Sequence, residues 1–222
     1  MIIYHGSTNV IEQPTYGAGK VHNDYGQAFY CTKDLELAKE WACQQENQNG
    51  YANEYILDME GLSVLDLTSP DYNILNWLEV LVENRTFSLK SDIAETGYRY
   101  IAENFKIDYK NYDVIIGYRA DDSYFRFASA FLSNEISLQQ LNQAISLGKL
   151  GTQLAIKSEK AFSQLQYSNS ILAEGSIYYN KRTKRDETAR MDYKGLSREL
   201  DLQGKYLVDI IREGWRNEDV RI

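Results

Sequence analysis

Short runs of apolar residues, separated by polar and glycine-containing stretches, define the strands that the sequence predicts. Such runs, rich in β-branched and aromatic residues, are typical of half-buried strands. We predict strands at residues 2–5, 28–32, 54–59, 63–67, 112–116 and 152–157, the last being the final strand of the chain. Residues 6–26 are rich in glycine and contain Pro14, so this segment predicts a long irregular loop. Gly117 is predicted to end the strand at 112–116.

Apolar residues at helical spacing predict the helices. Asp34 is a candidate N-cap for one helix, and Pro70 is a candidate opening residue for the next. The predicted apolar faces comprise Leu35, Ala38, Trp41 and Ala42 in the first helix and Ile74, Trp77, Leu78 and Leu81 in the second. Further helices are predicted at residues 93–105, 124–132 and 137–147, with a short one ending at 165.

The order of these elements predicts an α+β fold, because the strands cluster towards both ends instead of alternating regularly with helices. We predict a domain over residues 1–167 and a charged, mainly helical extension over residues 168–222. The extension is too short for a good core of its own, so we expect it to pack on the domain or on a partner. Its apolar positions are Leu196, Leu200, Leu207, Ile210 and Ile211.

Composition and net charge bear on the partners and the cellular location that we expect for this protein. The chain has 222 residues and a net charge of −8, so its long-range electrostatics do not favour nucleic acid. It lacks an apolar run of about 18 residues and a signal-peptide pattern, so we expect a cytoplasmic protein that does not bind membranes. The two cysteines show no Cys-x-x-Cys spacing and only two histidines are present, so no metal is expected.

A cluster of basic residues lies near the C-terminus, although the net charge of the chain is negative. It comprises Lys181, Arg182, Lys184, Arg185 and Arg190. The first interpretation of such a cluster is a solvated helix face, and the second is a patch that binds phosphate.

The first candidate site is the segment Tyr4-His5-Gly6-Ser7, at the end of the first predicted strand. A lone histidine on a strand is more often structural than functional. Gly6 changes this balance, because glycine lets a ligand approach the backbone closely. Its N–H and C=O could then pair with a carboxamide, while His5 donates a hydrogen bond to a ribose hydroxyl.

Two further features are the segment 23–32, where Gly26 precedes an aromatic-rich strand, and Trp41 on the following helix. Tyr30 and Trp41 can each be core residues, and for a tryptophan that interpretation is strong. A strand, a tight turn and a helix would nevertheless fold Trp41 back near Tyr30. Their two rings could then sandwich a flat heteroaromatic ring such as nicotinamide.

Together these motifs resemble the front half of the diphtheria-toxin and PARP-like ADP-ribosyltransferase superfamily. The chain is most similar to an uncharacterised bacterial domain family of that superfamily, over about residues 1–167. The similarity rests on Tyr-His-Gly-Ser at 4–7, Asp-Tyr-Gly-x-x-Phe-Tyr-x-Thr at 24–32 and Trp-Ala at 41–42. Further matching segments are 112–117, 120–122, 151–153 and 159–161.

The resemblance implies a split, mostly antiparallel β core with surrounding helices, and NAD⁺ as a substrate without a metal. Within this fold His5 would hold the ribose next to nicotinamide, Gly6 the carboxamide, and two aromatic rings the nicotinamide ring. The residues implied to bind NAD⁺ are His5, Gly6, Ser7, Tyr30, Thr32 and Trp41.

Cleavage of the nicotinamide–ribose bond passes through an oxocarbenium-like transition state, so the enzyme must stabilise positive charge on the ribose. Transferases of this superfamily usually place a glutamate at the start of the last conserved strand, but here Gln153 aligns with that position. Glutamine carries no charge, so we expect the charge to come from Asp121 or Asp122, with Glu159 as a further candidate. The predicted catalytic residues are His5, Tyr30, Gln153, Asp121 and Asp122.

The expected function is therefore mono-ADP-ribosylation of a macromolecular acceptor, protein or nucleic acid, by a bacterial toxin or effector with an antitoxin-like partner. Three alternatives stay open. The chain could be an NAD⁺ glycohydrolase, or a binding module for NAD⁺ or ADP-ribose without catalysis, which the missing glutamate favours. It could also be a regulatory protein whose helical tail binds a partner.

Overall fold

The structure is a computed structural model that describes residues 1–120, 122–147 and 151–219, and for residues 122 and 123 the backbone alone. Within these ranges the fold is α+β. The strands are β1 Ile2–Ser7, β2 Phe29–Cys31, β3 Gly50–Leu57, β4 Val64–Asp66, β5 Val114–Tyr118, β6 Thr152–Ile156 and β7 Leu165–Ala173. The helices are α1 Leu35–Ala42, α2 Ile74–Asn84, α3 Asp92–Asn104, α4 Asp122–Leu132, α5 Leu138–Ser146, α6 Glu159–Ser163, α7 Gly175–Arg198 and α8 Leu207–Glu213.

The strands form two sheets that meet between β1 and β2. One sheet has the order β1-β3-β7 and is antiparallel throughout. The other has the order β2-β6-β5-β4, in which only β4 and β5 run parallel. Tyr4 of β1 and Thr32 beyond β2 exchange both backbone hydrogen bonds, at 2.8 and 2.9 Å, and so connect the two sheets.

Helix α1 begins where its sequence predicts. The Asp34 side chain accepts hydrogen bonds from the N–H groups of Glu36 and Leu37, which would otherwise lack partners in the first turn. The prediction that Pro70 opens α2 is wrong, because the helix begins at Ile74 behind an Asn73–Asn76 capping box. The predicted apolar face of α2 is confirmed: all four of its residues are buried.

Strand β7 contradicts the prediction that 152–157 is the last strand and that helical structure starts near residue 168. Its pairing with β3 shifts register between Glu54 and Tyr55, so the alternation of apolar and polar residues is interrupted there. Such a bulge removes the period of two by which a strand is detected in a sequence. Helical structure starts only at Gly175.

Gly117 does not end its strand, as predicted, but lies inside β5. A Cβ on Gly117 would overlap with the hydroxyl of Tyr25. Tyr25 is fully buried and donates to the carbonyl of Tyr118 at 2.6 Å. The glycine therefore makes room for a tyrosine from a distant loop.

The main hydrophobic core lies between the four-stranded sheet and helices α2 to α5, and a second core lies between the two sheets. Helix α8 contributes Leu207 and Ile210 to the main core. Leu200, one of the predicted apolar positions of the extension, is instead 70% exposed and lies just beyond the end of α7. None of the described helices is long and apolar enough to span a bilayer.

Candidate functional site

A cavity of about 300 Å³ lies beside the junction of the two sheets. Its walls come from β1, the 23–30 segment, α1, the residue that follows α2, the end of β5, β6 and α7. It is lined by His5, Gly6, Asn23, Asp24, Tyr30, Trp41, Arg85, Arg119, Ala120, Gln153 and Arg182. The structure thus brings together residues that lie far apart along the chain.

Some of the residues selected from the sequence line this cavity and others do not. Those that line it are His5, Gly6, Tyr30, Trp41 and Gln153. Ser7 and Thr32 lie outside it: the Ser7 hydroxyl accepts from Asn9 N–H in the next turn, and the buried Thr32 hydroxyl accepts from Asp34 N–H. Asp121 lies outside the described residues, as does the side chain of Asp122, and exposed Glu159 is in the first turn of α6.

His5 is held by two contacts. Its Nδ1 lies 2.7 Å from the backbone carbonyl oxygen of Tyr30, and its ring stacks on Phe29 with centroids 4.3 Å apart. Because a carbonyl only accepts, Nδ1 carries the hydrogen. Burial lowers the pKa of His5, against the effect of the hydrogen bond to Tyr30, so the ring is neutral and Nε2 is an acceptor. His5 can therefore accept from a ribose hydroxyl, which reverses the predicted direction of that bond.

Gly6 has a packing role that its sequence context did not indicate. A Cβ at this position would overlap with the carbonyl oxygen of Ala38, so glycine allows α1 to pack directly on β1. The backbone groups of Gly6 point the same way as those of Tyr4, because direction alternates along a strand. The N–H and C=O of Tyr4 form hydrogen bonds with Thr32. The carbonyl of Tyr30, two residues before Thr32, is bound by the His5 side chain instead. The N–H and C=O of Gly6 are thus directed towards the cavity.

Tyr30 offers the cavity its ring, because its hydroxyl is already used. That hydroxyl donates to the carbonyl of Gly26 at 2.7 Å and accepts from Tyr25 N–H at 2.9 Å. Gly26 has a φ of 77°, which glycine adopts readily. Burial raises the pKa of Tyr30 far above its ordinary value, so the hydroxyl stays protonated and exchanges no proton at neutral pH.

Trp41 lies on α1, half-buried, with one face of its indole ring already covered. The guanidinium carbon of Arg119 lies 4.4 Å from the ring centroid, in a cation–π contact. The indole N–H is buried and has no hydrogen-bond partner among the residues that the structure describes. Trp41 lines the cavity, so its indole ring is available to a flat ligand that binds there.

The strongest polar feature of the cavity is Asp24, to which the sequence assigned no role. This carboxylate is 3% exposed. Its Oδ1 accepts from Arg85 Nη1 at 2.8 Å, and its Oδ2 accepts from Ala120 N–H at 2.9 Å and from Gln153 Nε2 at 2.8 Å. Burial raises the pKa of Asp24, against the hydrogen bonds from Ala120 and Gln153 and the charges of Arg85 and Arg119.

The sequence contained only a weak signal for Asp24. It is the aspartate of the Asp-Tyr-Gly motif at 24–26, but an aspartate in a glycine-rich loop is typical of a turn. Its main cation, Arg85, follows α2 and lies 61 positions along the chain. Only the folded chain shows that the motif aspartate is a buried anion.

Three arginines, Arg85, Arg119 and Arg182, line the cavity. Guanidinium groups bind carboxylates and phosphates through directed hydrogen bonds. The cavity can therefore accept a ligand with an anionic part, while Asp24 provides one fixed negative charge. Within the described ranges, no cluster of three or more His, Cys, Asp or Glu could hold a metal ion.

One family model matches most of the chain. This family is described as a protein of unknown function, DUF3990, and the match covers residues 1–167. No curated protein and no solved structure matches the chain. The family match ends inside β7, so it includes every lining residue of the cavity except Arg182, which lies on α7.

Proposed function

The chain belongs to the DUF3990 family, and we propose that it binds NAD⁺ in the His5 cavity and transfers the ADP-ribose unit to a macromolecular acceptor. One observation carries this proposal. Four of the six residues selected from the sequence for NAD⁺ recognition, His5, Gly6, Tyr30 and Trp41, line one cavity together with the buried carboxylate of Asp24. A concave site in which polar groups converge around aromatic rings is suited to binding a small molecule.

We propose further that the fold is an ADP-ribosyltransferase-like split β core. Three features support this: two mostly antiparallel sheets, a junction that includes the Tyr4–Thr32 bridge, and a cavity beside that junction. The support is architectural, and fold by itself does not establish an activity. The proposed activity rests instead on the side chains in the cavity.

The cavity volume suits the nicotinamide riboside half of NAD⁺. At about 300 Å³ it is at the lower end of the range for small-molecule sites, roughly 300–1,000 Å³. The backbone of Gly6 pairs with the carboxamide, and the nicotinamide ring lies between the rings of Tyr30 and Trp41. His5 accepts from a ribose hydroxyl through Nε2. The diphosphate and adenosine then extend out of the cavity.

The reaction breaks the bond between C1′ of the ribose and the nicotinamide nitrogen, and the electron pair of that bond leaves with neutral nicotinamide. A hydroxyl or amine of the acceptor attacks C1′, forms the new bond and releases its proton to water. Asp24 stabilises the positive charge that develops on the ribose, since a fixed anion in a buried site acts strongly on such a charge. With three donors on its two oxygens, Asp24 serves as a charge stabiliser and not as a base.

This proposal changes the roles expected for two groups of residues. The negative charge comes from Asp24, so Asp121 and Asp122 are no longer needed to supply it. Gln153 donates to Asp24, so we assign it a positioning role through that carboxylate. The neutral glutamine at the expected glutamate position is then compatible with turnover.

The test is incubation of the purified protein with NAD⁺ and candidate macromolecules, followed by mass spectrometry of both. Release of nicotinamide together with a gain of one ADP-ribose unit on a macromolecule is the expected result. Asp24→Asn should lower the rate of nicotinamide release by roughly 10²–10³-fold, the effect of removing one electrostatic group from an active site. Glu159→Gln, which removes an exposed carboxylate outside the cavity, is the matched control and should leave that rate unchanged.

The other outcomes separate the alternatives. Free ADP-ribose without any adduct would make the protein an NAD⁺ glycohydrolase, and binding without cleavage would make it a module. If titration calorimetry detects no binding of NAD⁺ to the wild-type protein, the proposal is overturned. Equal activity of Asp24→Asn and wild type would remove Asp24 from the mechanism. Circular dichroism of that variant shows whether a loss of activity reflects misfolding.

A further inference from the structure

Helix α7 is fastened to α1 by two ion pairs. Lys181 Nζ lies 2.8 Å from an oxygen of Glu36, and the guanidinium of Arg185 makes two bonds of 2.8 Å to Glu40. Glu40 is almost fully buried, so the Arg185 pair is the stronger anchor. These contacts set the position of α7 beside the cavity, although the helix lies beyond the residues matched by the family model.

Arg182 lies between these two anchors and lines the cavity. It is half-buried, and in the described part of the chain no carboxylate forms an ion pair with it. Its neighbours in the basic cluster differ: Lys181 and Arg185 pair with α1, and Arg190 pairs with Asp186 on the same helix. Arg85 of the cavity is likewise held by Asp24, and Arg119 covers Trp41. Arg182 is therefore the lining arginine best placed to pair with a ligand.

We propose that Arg182 binds the diphosphate of the dinucleotide, so that α7 completes a site whose other lining residues lie within the family domain. This inference rests on the proposed binding of NAD⁺. The cavity accommodates nicotinamide riboside, and the diphosphate is the next group along the ligand. Arginine forms charge-assisted hydrogen bonds with phosphate oxygens, and a half-buried arginine does so with less screening than an exposed one.

The choice of ligand allows a direct test. The carbocyclic analogues of NAD⁺ and of nicotinamide riboside cannot form an oxocarbenium ion, so they persist during titration calorimetry. The NAD⁺ analogue has the diphosphate, and the riboside analogue lacks it. The variants are Arg182→Gln and, as a matched control, Lys184→Gln, which removes one exposed positive charge from the same helix outside this cavity.

Arg182→Gln should weaken binding of the NAD⁺ analogue by roughly 10–100-fold, the range expected for a hydrogen bond between charged groups. Binding of the riboside analogue should stay within about twofold of wild type, and Lys184→Gln should change neither affinity. Unchanged binding of the NAD⁺ analogue by Arg182→Gln would overturn the role of Arg182 and leave the proposed function intact.

Two further results would also overturn the proposed role of Arg182. Equal weakening of both analogues would show that Arg182 maintains the shape of the cavity without recognising phosphate. A similar loss in Lys184→Gln would show that only the overall charge of α7 matters. If wild-type protein binds neither analogue, the proposed function itself fails.

Discussion

Nε2 of Gln153 donates to Oδ2 of Asp24 at 2.8 Å, across 129 positions of the chain. This bond connects the strand position at which the resemblance expects a glutamate to a carboxylate in the loop before β2. The glutamine does not replace the expected charge. It orients a charge that another segment supplies, and this relationship determines how the site should respond to mutation and to pH.

Replacement of Gln153 by alanine tests that relationship. The variant loses a donor to the charged form of Asp24, so turnover should fall on the order of 10-fold and the pKa of Asp24 should rise further. Turnover needs the carboxylate ionised, so activity is lost as the pH falls through that pKa, and the acidic limb of the pH–rate profile should move to higher pH. A profile with an unmoved limb would show that Gln153 does not act through Asp24.

Gly6→Ala tests the packing of α1 on β1. The added methyl group would overlap with the Ala38 carbonyl, and overpacking of this kind costs about 1–3 kcal/mol. The melting temperature should fall by roughly 2–4 °C for each kcal/mol, as measured by scanning calorimetry. Gly195→Ala, on α7 with open space around the glycine, is the control and should be neutral or slightly stabilising. Equal melting temperatures for Gly6→Ala and wild type would contradict the packing described.

Glu79 of α2 predicts an unusual dependence of stability on pH. It is fully buried. Burial and the charge of Glu83 raise its pKa from 4.5 to about 7, against the N–H of Ile107 and the charges of Lys106 and Lys110. Between pH 4.5 and 7 the folded protein therefore holds a proton that the unfolded chain has lost. The contribution of Glu79 to stability must decrease as the pH rises through this window.

Glu79→Gln removes this titration and keeps the shape of the side chain. The variant should be more stable than wild type at pH 8, by about 1–3 kcal/mol, and the difference should shrink at pH 5. Urea unfolding at the two pH values measures it. Glu95→Gln, at an exposed position on α3, should stay within about 0.5 kcal/mol of wild type at both. A Glu79→Gln effect independent of pH would show that Glu79 is ionised in the fold at both values.

The Glu40–Arg185 pair predicts how α7 is held. Glu40→Gln leaves Arg185 without its buried anion, which should destabilise the docked helix by up to about 3 kcal/mol. Trypsin should then cut within α7 faster than in wild type, as followed by gel electrophoresis. Glu36→Gln breaks the exposed pair with Lys181, which is worth about 0–1 kcal/mol, and should change the cutting rate little. Equal rates for both variants would mean that the buried pair does not anchor the helix.

The sequence by itself determined much of the local structure. Helix α1, its Asp34 cap and the buried face of α2 follow from patterns within about ten residues, and such patterns depend on side chains that meet through local backbone geometry. His5, Gly6, Tyr30 and Trp41 could be selected together because they lie in one β-β-α segment at the start of the chain. Strand β7 could not be predicted, because its bulge disrupts the alternation on which strand prediction depends.

Only the tertiary structure decided the electrostatics of the site. Asp24 is an ordinary loop aspartate in the sequence, and it becomes a buried anion because Arg85, Ala120 and Gln153 arrive from three other segments. Arg182 looks like one member of a solvated basic cluster until α7 docks on α1 and carries it to the cavity. Charge and hydrogen-bond partners depend on distances between residues far apart in sequence, and those distances exist only once the chain has folded.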